Sequence, residues 1–230
     1  MSLAGVRGMT MQKVVIAPTI YIVNKKLDVA QLAARAPLRT IRTNDLAEVY
    51  AHPRQEAGAL VRRGLLHRLA HGFYCAVPPE HDPGVWRPTI EAAAASIATA
   101  IYGDRVPVLT GLTAARVHLA LPRAIGVAFV AVPVQRRPLQ LVDRPGQIRF
   151  VTRAVADLDT VVVTTDLGLA LATTPEQTVL DLGRADPREE DVDAREAIDT
   201  LWSECDQAVL GEIAGRQRMR ATLTRLRAAR

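Results

Sequence analysis

Proline and glycine cut residues 27–79 into short segments, and the order of those segments leaves few folds open. Leu27, Ala30, Ala33 and Ala34 recur at helical spacing until Pro37 ends the pattern. Thr43 and Asn44 offer side-chain N-caps, and Asp45 sits where the helix end is positive. Leu46, Val49 and Tyr50 then fall at i, i+3 and i+4, which predicts a short helix over about 44–50. Ala51-His52 is a tight connection to Pro53, whose fixed φ suits a first helical position. The next helix is expected to run to Arg63, with Gly64 as its C-terminal cap. Two runs, 65–69 and 73–77, flank the turn Ala70-His71-Gly72 and read as a β-hairpin closed by Pro78-Pro79. Helix, helix, tight turn, helix, hairpin is the order of a winged helix-turn-helix, with the hairpin as the wing.

In that arrangement the helix over 53–63 enters the major groove of DNA. On a helical wheel Ala57, Leu60 and Val61 cluster and should pack inward. Gln55, Ala59 and Arg62 fall on the opposite side, flanked by Gly58 and Arg63. Gln pairs bidentately with adenine and Arg with guanine, and the small Gly58 and Ala59 allow close approach to base edges. Arg54 and Arg63 are placed for phosphates, and His67, Arg68 and His71 on the wing for phosphates or the minor groove. Lys25, Lys26, Arg39 and Arg42 are further candidates for backbone contact. The plainer alternative is that Arg62 and Arg63 only solvate an exposed helix. Charge distribution weighs against it. Residues 1–80 hold 11 Lys/Arg against 5 Asp/Glu, whereas 81–230 hold 18 against 19, so the whole excess of +5 comes from the first third.

Beyond residue 83 helical and strand-like segments mix. An alanine-rich helix is expected over 89–102, strands near 106–110, 127–133, 147–152 and 161–165, and helices over 112–120 and from Pro175 to about Leu182. The acidic segment 186–204 reads as a solvated helix face, with a basic partner as the alternative. The tail 216–230, with six arginines and no acid, should be helical. The fold class expected is therefore α+β: an N-terminal arm (1–26), a winged helix-turn-helix (27–80), and a mixed α/β domain with a helical tail (83–230). Hydrophobic residues at 49% support a core, while 4% aromatics leave it to Leu, Val, Ile and Ala.

The inventory argues against an enzyme. The chain has three serines, none in a G-x-S-x-G elbow, no H-E-x-x-H and no C-x-x-C. Lysine occurs only at Lys13, Lys25 and Lys26, so no phosphate-cradling G-x-x-x-x-G-K-[ST] exists. Asp157, Asp159, Asp166 and Asp181 could hold a metal, but carboxylates at element ends more often act as caps. His67 and His71 lie on a hairpin rather than a helix, a poor metal pair. No cofactor and no metal are expected. Cys75 and Cys205 are too far apart in sequence to suggest a disulfide framework. The apolar run 14–23 is too short to span a bilayer and lacks a cleavage site, so a cytoplasmic, membrane-free protein is expected.

Three stretches also carry a family resemblance. Residues 60–74, Leu-Val-Arg-Arg-Gly-Leu-Leu-His-Arg-Leu-Ala-His-Gly-Phe-Tyr, fit the pattern L-x-R-x-G-x-L-x-R-x-x-x-G-x-Y. Residues 109–122, around Thr113-Ala114-Ala115 and Leu121-Pro122, and residues 174–182, Thr-Pro-Glu-Gln-Thr-Val-Leu-Asp-Leu, are the second and third. In this order they resemble AbiEi-type antitoxins of type IV toxin–antitoxin systems. Ala120 stands where a glycine is usual before Leu121-Pro122, Gln177 replaces an arginine, and the 14–23 arm lies outside the pattern. The resemblance implies binding to inverted repeats in promoter DNA, possible dimerisation there, repression of the protein's own operon, and neutralisation of a nucleotidyltransferase-like toxin encoded alongside. The alternative is a ligand-responsive winged-helix transcription regulator without a toxin partner. An enzyme acting on nucleic acid is a third reading, for which the chain offers no nucleophile or metal cluster.

Overall fold

The structure, a computed structural model, describes residues 29–47, 50–184 and 191–230. The expected arm, Lys25, Lys26, Leu27, Val49 and the first residues of the acidic segment (186–190) lie outside them. The fold is α+β.

Helix α1 (Val29–Arg35) is followed by one 3-10 turn, Pro37–Arg39, and a strand, β1 (Thr40–Arg42), that the sequence pattern did not announce. Helix α2 is Thr43–Leu46. Its cap differs from the expected Thr43 or Asn44. Arg42 occupies the N-cap position, and Asp45 Oδ2 accepts from the Arg42 backbone N–H at 2.9 Å. Helix α3 is Pro53–Arg62, with proline in its first turn. It ends in a Schellman motif: Leu65 N–H reaches Leu60 O (3.0 Å), Gly64 N–H reaches Val61 O (3.0 Å), and Gly64 takes φ +72. A Cβ on Gly64 would also sit 2.6 Å from Pro83 Cβ, so this position requires glycine twice over. Strands β2 (Leu66–Ala70) and β3 (Phe73–Ala76) form the hairpin, and β1 pairs with β3 to give a three-stranded sheet, β1-β3-β2.

One face of this sheet meets α1–α3 in a small core of Val29, Ala33, Ile41, Leu46, Ala57, Leu60, Leu66 and Tyr74. Its other face supplies Leu69, Phe73 and Cys75 to a larger core, joined there by Leu38. The centre of that core is α4 (Ile90–Tyr102), ten of whose thirteen residues are buried. A helix apolar all round must be enclosed, and its alanines let neighbours approach closely. On one side lie Leu38 and β1, on the other a six-stranded mixed sheet. That sheet has the order β6-β7-β5-β4-β9-β8, from β4 (Val108–Leu109), β5 (Val127–Val132), β6 (Leu139–Gln140), β7 (Gln147–Thr152), β8 (Thr160–Thr165) and β9 (Gly168–Thr173). The expected 27–80 and 83–230 regions therefore share one core. The hairpin also bonds directly to the second region: Val142 N–H donates to Leu69 O at 3.0 Å, and Ala70 bridges to Leu141.

A helical layer completes the chain: α5 (Leu112–Val117), α6 (Pro175–Leu182), α7 (Val192–Trp202), α8 (Gln207–Arg216) and α9 (Arg220–Ala228), around Val179, Leu180, Leu201, Leu210 and Ile213. The expected continuous helix 112–120 breaks after Val117, again in a Schellman motif. Its left-handed position is Leu119 (φ +61), not Ala120, which is buried with an ordinary backbone. No helix among the described residues is long and apolar enough to cross a membrane.

Candidate functional site

Helix α3 is seated by Ala57 and Leu60, both buried against Leu46 and Tyr74. The opposite side is open: Arg54, Gln55, Arg62 and Arg63 are exposed, and Gly58 and Ala59 half-buried. Arg62 folds back along the helix, its Nη1 3.8 Å from where a Gly58 Cβ would stand, an ordinary contact distance that a larger residue would also allow. Among the described residues no carboxylate pairs with Arg54, Arg62, Arg63 or Arg68.

Beside α3 the hairpin turns at His71-Gly72, with Gly72 at φ +82. The hairpin does not project freely. Thr43 N–H donates to Gly72 O at 2.9 Å, pinning its tip to the start of α2. Arg68 Nη2 donates to His71 Nδ1 at 2.7 Å, which places the imidazole proton on Nε2. The two elements enclose a cleft of about 750 Å³ whose walls include Arg42, Asn44, Arg54, Arg68 and His71.

Of the expected contact residues, His67 and Arg39 are turned into the fold, and Arg42 lines the cleft with its charge already paired. His67 Nε2 donates to Asp143 Oδ2 at 2.9 Å, with 17% of its side chain exposed, and so faces the second region rather than solvent. Its ring packs edge-on to Trp86, which stacks on His81. Burial pushes the Asp143 carboxyl up, but hydrogen bonds from His67 and Arg144 outweigh it and hold the group down at about 2. Arg42 is committed to Asp45 through Nε (3.0 Å) and Nη2 (2.7 Å), and that hydrogen-bonded pairing raises its pKa. Arg39 sits at φ +52 after Leu38 (φ +48), half-buried, with its Nε enclosed and unpartnered. The backbone at 38–39 bends so that Leu38 can enter the core around α4.

Elsewhere three of the four candidate ligating carboxylates are taken, and the described residues hold no cluster of three ligating side chains around the fourth, Asp157. Asp181 accepts from Arg153 Nη1 (3.0 Å), Thr110 Oγ1 (3.0 Å) and Gln177 Nε2 (3.1 Å). Asp166 accepts from Thr89 N–H (2.6 Å), and Asp159 pairs with Arg216. Cys75 is fully buried. Burial, reinforced by the nearby Asp143, pushes its thiol up to about 12, so it packs rather than reacts.

One cationic residue at the cleft was not foreseen. Arg136 reaches it from the loop between β5 and β6. The signal was available as the doublet Arg136-Arg137 between Pro133 and Pro138, but nothing local ties that loop to α3.

No family model matches the chain, and no curated protein sequence matches it. Among solved structures it is similar to the RV2827C protein from Mycobacterium tuberculosis. That likeness has 19% identity over 81% of this chain and 70% of that one, with a TM-score of 0.47.

Proposed function

We propose that residues 29–80 are a winged helix-turn-helix that binds duplex DNA, with α3 as the reading helix and the β2–β3 hairpin as a short wing. The supporting observation is the outer side of α3, beside a cleft lined with arginine. There Gln55, Arg62 and Arg63 are exposed, and neither arginine has a carboxylate partner among the described residues. Gln55 and Arg62 are the base-reading side chains in this proposal, and Ala59 leaves them room. Arg54, Arg63 and Arg68 neutralise phosphates, with His71 holding Arg68 in place. His67 is committed to Asp143 and Arg42 to Asp45, and Arg39 makes no DNA contact in this proposal.

The wider role proposed is the one the sequence resemblance implies: a non-enzymatic antitoxin that represses its own operon and counters a nucleotidyltransferase-like toxin. The three resembling stretches support it by their placement. The first is α3 with the hairpin. The second and third meet in the helical layer, where Thr110 bonds Asp181.

The test is a gel shift with the DNA upstream of the gene, over a series of salt concentrations. Binding to an inverted repeat that weakens steeply with salt is expected. Arg62→Ala should relax base preference at one position by about 1–3 kcal/mol. Absence of binding at low salt refutes the repressor role. Failure to rescue cells expressing the adjacent toxin gene refutes the antitoxin role separately.

A further inference from the structure

The cleft beside α3 has a wall from another part of the chain. Arg136 and Ile101 belong to the second region, and the other lining residues to 42–74. The loop 133–138 that bears Arg136 is built to hold position. Tyr102 Oη, at the end of α4, donates to Val134 O at 2.8 Å. Gln135 accepts from Thr152 Oγ1 at 2.7 Å and donates to Phe150 O at 3.4 Å.

The cleft therefore gathers Arg42, Arg54, Arg68, Arg136 and His71, and no acidic residue lines it among the described residues. Of these, Arg42 has its charge answered, by Asp45. Like charges brought together around one concavity repel, and an anion placed among them gains from all of them. On the α3 wheel the cleft-facing residues, Arg54, Gly58 and Val61, lie about a quarter-turn from the Gln55/Arg62 side. A duplex read by Gln55 and Arg62 would thus bring its sugar-phosphate strand along the cleft.

We propose that this cleft is a clamp for the DNA backbone, and that Arg136 closes it from the second region. The inference rests on the DNA-binding function proposed above and adds to it a phosphate contact supplied from outside the helix-turn-helix. The shared core around α4 sets the distance between the two walls, so the second region contributes to affinity without touching a base.

Salt titrations of full-length protein on two duplexes, the native upstream DNA and a scrambled one, test this. Arg136→Ala should weaken both about 3–10-fold and reduce the slope of log K against log salt by about 1, since one phosphate fewer is neutralised. Arg136→Lys should keep most of that slope, and the thermal midpoint of Arg136→Ala should match wild type because the side chain is exposed. Gln55→Ala should lose discrimination between the duplexes while keeping the slope. If Arg136→Ala leaves affinity and slope unchanged while Arg54→Ala weakens binding, the clamp is wrong and the reading helix stands. If wild type binds neither duplex, the DNA-binding function and the clamp fall together. If inorganic phosphate stabilises wild type but not Arg136→Ala, with duplex binding unaffected, the cleft serves a free anion and the clamp is overturned.

Discussion

Arginines in the two halves of this molecule keep different company. On the helical layer and its surroundings most of the described ones are tied inward. Arg116 pairs with buried Glu91 and also donates to the carbonyls of Leu121, Pro122 and Arg123. Arg153 binds Asp181, Arg123 binds Asp193 and Glu196, Arg216 binds Asp159, and Arg230 binds Asp199 while covering the Trp202 ring. In the arginine-rich tail, which by composition looks made for an acidic partner, Arg225 donates to Gly183 O at the end of α6, Arg227 reaches Gln207 at the start of α8 and Arg230 pairs with Asp199 on α7. Around α3 the reverse holds: Arg54, Arg62, Arg63, Arg68 and Arg136 pair with no carboxylate among the described residues. Charge answered within the fold is not open to a partner, and adds stability mainly where the pair is buried, whereas charge left unanswered is available to one. Net charge alone does not distinguish the two.

The largest effect that should separate these populations is Arg116→Ala. It strands Glu91, only 4% exposed, without its partner and leaves three carbonyls short of a donor. A loss of about 3–5 kcal/mol is expected in urea unfolding. A loss below about 1 kcal/mol would mean that the inward arginines are no more structural than the outward ones.

The seam between the halves is next. Asp143, held at about 2 against an ordinary 3.8, is a carboxylate favoured by folding. Its contribution, about 2 kcal/mol, is complete above pH 4 and lost as pH falls toward 2. Asp143→Asn should lower stability at neutral pH and flatten that acid limb. An unchanged limb would mean that the His67–Asp143 pair does not hold the hairpin in place.

Leu119→Gly should stabilise the protein by about 1 kcal/mol, read as a raised melting midpoint, because Leu119 is 86% exposed and occupies the left-handed cap that glycine prefers. A fall in the midpoint would show that this leucine packs in the folded protein. The smallest effect expected is on the outward side. Arg62→Ala and Arg63→Ala should shift unfolding free energy by no more than about 0.5 kcal/mol. A larger shift would make these residues structural and blur the contrast.

Much of the first eighty residues was legible because local rules decide it. Pro37, Pro53, Gly64 and Gly72 act through their own backbones, and the i, i+3 spacing of Ala57 and Leu60 sets which side of α3 turns inward, while Val61, expected to join them, is half-buried at the cleft. Strand β1 was not legible: three residues with no alternating pattern become a strand only because β3 lies alongside. Nor were β9 and α8, short segments whose burial comes from neighbours distant in sequence.

The same division holds at the site. Local sequence determined that Gln55, Arg62 and Arg63 share the outer side of a helix, since helical geometry is a property of adjacent residues. Tertiary structure alone decided that His67 turns to a carboxylate 76 positions away, that Leu38 and Arg39 accept left-handed backbones to reach a core, and that Arg136 stands across from α3. The physical reason is range. Backbone preference and periodicity act over a few residues, whereas burial and ion pairing depend on which distant surface arrives, and nothing in a residue's own neighbourhood records that.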